Sequence, residues 1–320
     1  MSELYHVSSS PHVRAKDSTS KVMLWVIISM LPMVAFGTYN FGLRALLLVV
    51  VTVLACVASE YVFNIIMHKK QTIGDYSAVV TGMILGLNMP VSLPVWEAIL
   101  GAVFAIIVVK MMFGGLGQNF MNPALAARCF LLIAFAADMT NFSCDSYTGA
   151  TPLALIRQNG GMIPEGLNVM DMLTGRIAGT IGETSVIAIL IGAIILVLTG
   201  VINLRIPASY IITFAILMFV FGPSQFDTTY VVAQLCGGGL MFGAFFMATD
   251  YVTSPITPMG QILFGICCGV LTAVFRLIGA NAEGVSFAII LSNLLVPLIE
   301  KITIPRAFGV VKVKAKKEGK

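Results

Sequence analysis

The chain has 320 residues, 58% of them hydrophobic and 11% charged, with a mean hydropathy of +0.95 and a formal net charge of +4. A soluble domain carries about 25% charged residues, so a water-soluble globule is excluded, and so small a net charge gives no case for nucleic acid as a partner. What composition leaves is an all-α membrane protein that crosses the bilayer about ten times.

The polar opening, residues 1–21, reads as a cytoplasmic segment and not as a secretory signal. The first apolar stretch ends in Phe36-Gly37-Thr38-Tyr39, which offers no small-x-small cleavage site. Apolar runs then predict five helices near 22–40, 43–67, 76–90, 95–113 and 119–137. A polar stretch, 138–183, separates them from five more near 184–202, 205–222, 230–249, 259–278 and 285–304, and a basic tail closes the chain at 305–320. Two spans are weak. The third, 77–89, is short and glycine-bearing, and the eighth contains Gly237-Gly238-Gly239. Such interruptions suggest broken helices near a binding site, or close helix approach through small residues.

The halves 22–137 and 184–304 share a layout. Ile99-Leu100-Gly101 leads to Lys110 and a Gly/Asn-rich turn, as Ile262-Leu263-Phe264-Gly265 leads to Arg276 and Gly279-Ala280-Asn281. An odd number of spans per half inverts the second copy, so two inverted five-helix repeats are expected, with the loop 138–183 between them. Orientation follows from the basic residues. A cytoplasmic N-terminus collects Arg14, Lys16, Lys21, Lys69, Lys70, Lys110, Arg205, Lys301, Arg306 and the tail lysines inside, leaving Arg44, Arg157, Arg176 and Arg276 outside. Both termini are therefore expected in the cytoplasm and 138–183 on the exterior.

Among the six cysteines, Cys56, Cys129, Cys236, Cys267 and Cys268 lie in or beside apolar segments, and only Cys144 is in a polar stretch. No Cys-x-x-Cys spacing occurs, so they read as small packing residues and no metal site is expected. Ionisable residues at membrane depth default to functional hypotheses. Arg128 follows Asn122-Pro123 and is open to pairing with a carboxylate or with a bound anion. Asp250 is open to lining an ion path or capping a helix. Glu60 and Glu97 read as structural groups near interfaces, and Asn119 and Asn122 as caps.

The polar loop holds Asp145-Ser146-Tyr147-Thr148-Gly149-Ala150-Thr151-Pro152. Gly149 and Pro152 make a tight turn that presents the Thr151 hydroxyl among small neighbours. On these grounds alone an ordinary surface turn is the better reading. Asp145, Thr148, Gly149, Ala150 and Thr151, however, match Asp-x-x-[Ser/Thr]-Gly-Ala-Thr, the motif at which a flavin transferase joins FMN through its phosphate to the last threonine. Ser10-Pro11-His12-Val13-Arg14, the stretch from Lys110 to Ala124, and Phe246-Met247-Ala248-Thr249-Asp250-Tyr251-Val252-Thr253 carry a further likeness. They resemble the family that includes the D-type membrane component of the Rnf complex and the B-type membrane component of the sodium-pumping NADH:quinone oxidoreductase. Tyr251 departs from that pattern, where proline is usual.

The resemblance covers essentially the whole chain, and the short N-terminal segment favours the Rnf component. It implies an electron-transfer subunit in a bacterial cell membrane, with FMN covalently attached at Thr151, Arg128 as a candidate contact for the flavin phosphate or ring, and the other membrane and peripheral subunits of an ion-translocating ferredoxin:NAD oxidoreductase as partners. Maturation would need a flavin transferase. A second, non-covalent flavin between the helices is left open. The competing expectation is a cofactor-free channel or secondary carrier on the same scaffold.

Overall fold

The computed structural model describes residues 18–142, 150–164, 168–224, 226–279 and 284–305. Asp145, Thr148 and Gly149 of the motif, Ser10 to Arg14 and the tail beyond Pro305 therefore lie outside the described residues. Those described form helices and turns, with no strand among them.

Two long helices open the chain, α1 (Thr19–Phe41) and α2 (Leu43–Ile66). Ser18 caps α1 by accepting from the Lys21 N–H, and Gly42, at φ 77°, makes the bend into α2. The next helix, α3 (Ser77–Leu87), has only 11 residues, about 16 Å of rise and too short to cross a 30 Å core alone. Its Gly82 and Gly86 face the α2 backbone so closely that an added Cβ would overlap Val53 and Thr52. Close approach accounts for these glycines. The same spacing recurs at Gly265 and Gly269, which lie against Ser209 and Tyr210.

Helix α4 (Val95–Val103) runs on through wider turns at Phe104–Met111. There the N–H of Met112 bonds the Ile107 carbonyl five residues back, the signature of a π-type turn. Helix α5 (Pro123–Ala134) starts at an N-cap made by Asn122, whose Oδ1 accepts from the N–H groups of Ala124 and Leu125, with Pro123 at the first helical position. Three short helices follow: α6 (Ala136–Met139), α7 (Pro152–Gln158) and α8 (Val169–Thr174).

The second half carries α9 (Val186–Leu198), α10 (Arg205–Phe221), α11 (Thr228–Cys236), α12 (Leu240–Phe242) with a π-type extension at Gly243–Met247, α13 (Pro258–Leu277) and α14 (Val285–Thr303). Between α11 and α12 the axis bends by 65°. Gly238 and Gly239 adopt φ of 63° and 67°, angles that a side chain resists, so the triple glycine breaks a helix where the glycines of α3 only thin one. Helix is thus present in every apolar stretch singled out in the sequence. Among the described residues four helices, α1, α2, α13 and α14, are individually long and apolar enough to span, and a fifth span results if the bent pair is one. The chain is an all-helical, multi-pass membrane protein.

The stretch 138–183 does not end as a solvent loop. The N–H of Ile181 bonds the Met89 carbonyl at 3.1 Å, and that of Gly182 bonds the Leu87 carbonyl at 2.8 Å. Thr180, Ile181 and Glu183 are buried as a result. This segment closes the end of α3, satisfying carbonyls that a short helix leaves without partners.

Candidate functional site

Thr151 is the N-cap of α7. Its Oγ1 accepts from the Ala154 N–H at 3.4 Å, Pro152 occupies the first helical position, and the residue is only 7% exposed. Of the turn expected from sequence only its end lies among the described residues, and there Thr151 and Pro152 are packed and not displayed. An open cavity of about 700 Å³ lies against it, lined by Thr151, Ala150, Arg128, Asn88, Thr180 and an apolar wall that includes Leu132, Met139 and Phe142.

Arg128 projects from α5 into this region and is buried. Its Nη1 donates to Glu183 Oε1 at 2.6 Å and to Asn88 Oδ1 at 2.7 Å. Asn88, just past the end of α3, donates in turn to the Ile84 carbonyl at 2.6 Å. Of the two openings left for Arg128, pairing with a carboxylate is therefore realised, and the residue also borders the Thr151 cavity. Sequence reasoning missed Glu183, Asn88 and Thr180. Glu183 was legible only as the last acidic residue before an apolar run, and its partner stands 55 positions away.

Glu183 and Arg276 bracket the broken helix. Arg276 Nη1 donates to the carbonyl of Gln234 and, at 3.1 Å, to its side-chain oxygen, while Nη2 reaches the Gly237 and Gly238 carbonyls at 3.0 and 3.3 Å. A guanidinium thus meets the carbonyl end of α11. Glu183 packs against Gly239, the N-cap of α12, so closely that an added Cβ would overlap its carboxyl. Arg276, expected among the exterior loop charges, is buried within the fold.

Lys110 needs the same correction. Counted from sequence as a cytoplasmic loop charge, it is 2% exposed and sits in the π-type segment of α4. Its Nζ contacts Glu60 Oε2 at 2.7 Å and Ser77 Oγ at 2.6 Å. The Ser77 hydroxyl donates to Asp75 Oδ1 at 2.6 Å, and the Thr72 hydroxyl bonds Glu60 Oε1. Glu60 is fully buried within the protein and held by Lys110 and Thr72. The membrane tolerates such charges because each has a partner.

A second open cavity, of about 790 Å³, has Lys110, Ser77, Thr81, Asn119, Asn122 and Asp250 in its wall. Asp250 is half-buried. Burial pushes its carboxyl above the usual carboxylate range, against the bonds it accepts from the Val252 N–H at 3.3 Å and the Thr253 hydroxyl at 3.2 Å. Those two bonds make Asp250 the cap of the turn 250–253, and its place in the cavity wall keeps the ion-path expectation in view. Asn122 caps α5 as expected and also donates to the Met247 carbonyl at 3.4 Å, tying the first half to the end of the bent pair. Asn119 bonds the Met121 carbonyl instead of capping a helix. Tyr251, at the position of the usual proline, directs its hydroxyl to the Val201 carbonyl.

The two cavities lie along the same helices. Ile84 of α3 lines one and Asn88 the other, a single turn or about 6 Å further on. On α5, Pro123 lines the first of these and Arg128 the second, five residues or about 7.5 Å further on.

A model of the NQR2, RnfD, RnfE family matches residues 6–309. The chain belongs to that family. It is 47% identical over 313 residues to the D-type component of the Na(+)-translocating ferredoxin:NAD(+) oxidoreductase complex of Acetobacterium woodii, with 96% of each chain covered. It is 39% identical over 319 residues to the proton-translocating counterpart of Clostridium ljungdahlii, again with 96% of each covered. To the D-type component of the ion-translocating oxidoreductase complex of Methanosarcina acetivorans it is 35% identical over 306 residues, covering 95% of this chain and 97% of that one.

A phosphoester-linked FMN needs a hydroxyl at a cavity, a cation near the phosphate or ring, and room for an aromatic group with polar edges. Thr151, Arg128, the apolar wall and a buried hydroxyl without a partner, that of Thr180, supply these features. The residues fit the group.

Proposed function

We propose that this protein is an electron-relay subunit of a membrane complex that couples electron transfer between ferredoxin and NAD to movement of Na+ or H+, and that it carries FMN as a phosphoester on Thr151. The single observation that carries this reading is the placement of the Thr151 hydroxyl and the Arg128 guanidinium on one cavity wall, in a chain whose relatives are named as subunits of such complexes. The flavin supplies the redox chemistry when bound. Thr151 anchors it, Arg128 places positive charge beside it, and Leu132, Met139 and Phe142 keep water from its surroundings.

Around this site we read ten crossings in two inverted five-helix repeats, with α3 and the α11–α12 pair as the interrupted members. Both termini face the cytoplasm and the Thr151 cavity opens outward. Removing Lys110 and Arg276 from the loop charges subtracts one residue from each side and leaves the basic asymmetry intact. With the native cysteines removed, a cysteine at Asn168 should react with an impermeant reagent in intact spheroplasts, and one at Ser2 or Lys317 should not. The reverse pattern inverts the topology.

The open Asp250 cavity has the mixed apolar and polar wall that small-molecule ligands use, and this reading places a second, non-covalent flavin there. The two cavities, one helical turn apart, would then keep successive cofactors close. The remaining subunits of the complex and a flavin transferase are the partners this reading requires.

The test is direct. The denatured chain, matured with an active flavin transferase, should fluoresce as flavin on a gel, and the peptide holding Thr151 should carry the added mass of FMN. Thr151→Val should abolish both signals, because no ester forms without the oxygen, and Thr151→Ser should keep part of them. As Thr151 caps α7, the valine variant also loses about 1 kcal/mol of stability, more than an exterior loop position would cost. A wild-type peptide without added mass would overturn the reading and leave the cofactor-free carrier in its place.

A further inference from the structure

Thr180 is 2% exposed, lines the Thr151 cavity, and has a hydroxyl with no hydrogen-bond partner. An unpaired buried hydroxyl is costly, and native proteins satisfy most of them with protein, water or a ligand. Thr180 is also held in place by the three residues that follow it. The backbone bonds of Ile181 and Gly182 pin its segment to the end of α3, and the Arg128–Glu183 ion pair anchors that segment to α5. The hydroxyl itself is closed off from the cavity, but the residue borders it beside a guanidinium and a carboxamide, so rotation about the Thr180 Cα–Cβ bond would turn an unpaired donor and acceptor toward a polar group entering there.

We infer that Thr180 is a positioning residue for the flavin tethered at Thr151, its hydroxyl hydrogen-bonding the cofactor's polar edge while Leu132, Met139 and Phe142 pack on the ring. The inference rests on the Thr151 reading, which supplies the tether. Thr180 forms no covalent bond and moves no electron. It holds the flavin inside the cavity, beside Arg128, and away from water.

Thr180→Val removes the oxygen and keeps the shape, so the complex should assemble and the Thr151 peptide should keep its full FMN mass. Loss of one hydrogen bond should raise the undocked fraction of the flavin roughly two- to tenfold. In the purified complex this appears as stronger quenching of flavin fluorescence by iodide, together with a shifted flavin midpoint potential. Thr180→Ser should restore both. If wild type carries covalent FMN and Thr180→Val matches it in quenching and potential, the hydroxyl serves only water and the inference falls. If wild type carries no FMN on Thr151, the reading beneath it falls as well.

Discussion

Two buried ion pairs, Lys110–Glu60 and Arg128–Glu183, close at nearly the same distance, 2.7 and 2.6 Å, yet they do different work. The first lies within one half of the chain and is surrounded by hydroxyls, with both Glu60 oxygens engaged and Ser77 bridging to Asp75. The second joins α5 of the first half to the last residue of the polar stretch, just before α9, across the end of α3. Its carboxylate packs at the start of α12 and its guanidinium borders the Thr151 cavity. The difference teaches that burying a charge in a membrane protein says little about function until its surroundings are known. A saturated pair fastens helices, whereas a pair on a cavity wall also sets the charge that any group entering the cavity meets.

The largest effect should come from breaking the second pair on one side. Glu183→Ala leaves Arg128 buried without its carboxylate and should cost about 3–5 kcal/mol, read as a lower midpoint of thermal unfolding in detergent. Replacing both, as Arg128→Met with Glu183→Leu, should recover most of that stability while displacing the flavin potential. An unchanged midpoint in Glu183→Ala would show that the pair does not hold the end of the polar stretch to α5.

A smaller loss should follow from Glu60→Gln. The amide keeps an acceptor for Thr72, and Lys110 retains Ser77 with Asp75 behind it, so about 1.5–3 kcal/mol is expected. The mass of the Thr151 peptide should not change. Diminished flavin attachment in this variant would erase the distinction between the two pairs.

Asp250→Asn should be the mildest for the fold, since an amide oxygen still accepts from the Val252 N–H; a stability change within about 0.5 kcal/mol is expected. Coupled ion transport should fall while flavin content holds. Normal transport by the assembled variant would leave capping of the turn 250–253 as the whole role of this carboxylate.

The sequence by itself determined that the chain is helical, that it resides in a membrane, where its apolar stretches lie, and which threonine matches the flavin motif. Those properties are carried by composition, by run length against bilayer thickness and by a short local pattern, and all of them act within a few residues. Asn122 was legible as a cap for the same reason. Partnership was not. Glu60 meets Lys110 across 50 positions, Arg128 meets Glu183 across 55, and Arg276 reaches the carbonyl end of α11 across about 40. No local pattern records those distances. The glycines divided the same way: Gly82 and Gly86 serve close approach and Gly237 to Gly239 a break, and only the neighbouring helix or the adopted φ tells them apart. Tertiary structure alone decided that the end of the polar stretch folds inward, because the carbonyls of Leu87 and Met89, at the end of a helix too short to span, need donors that the lipid does not offer.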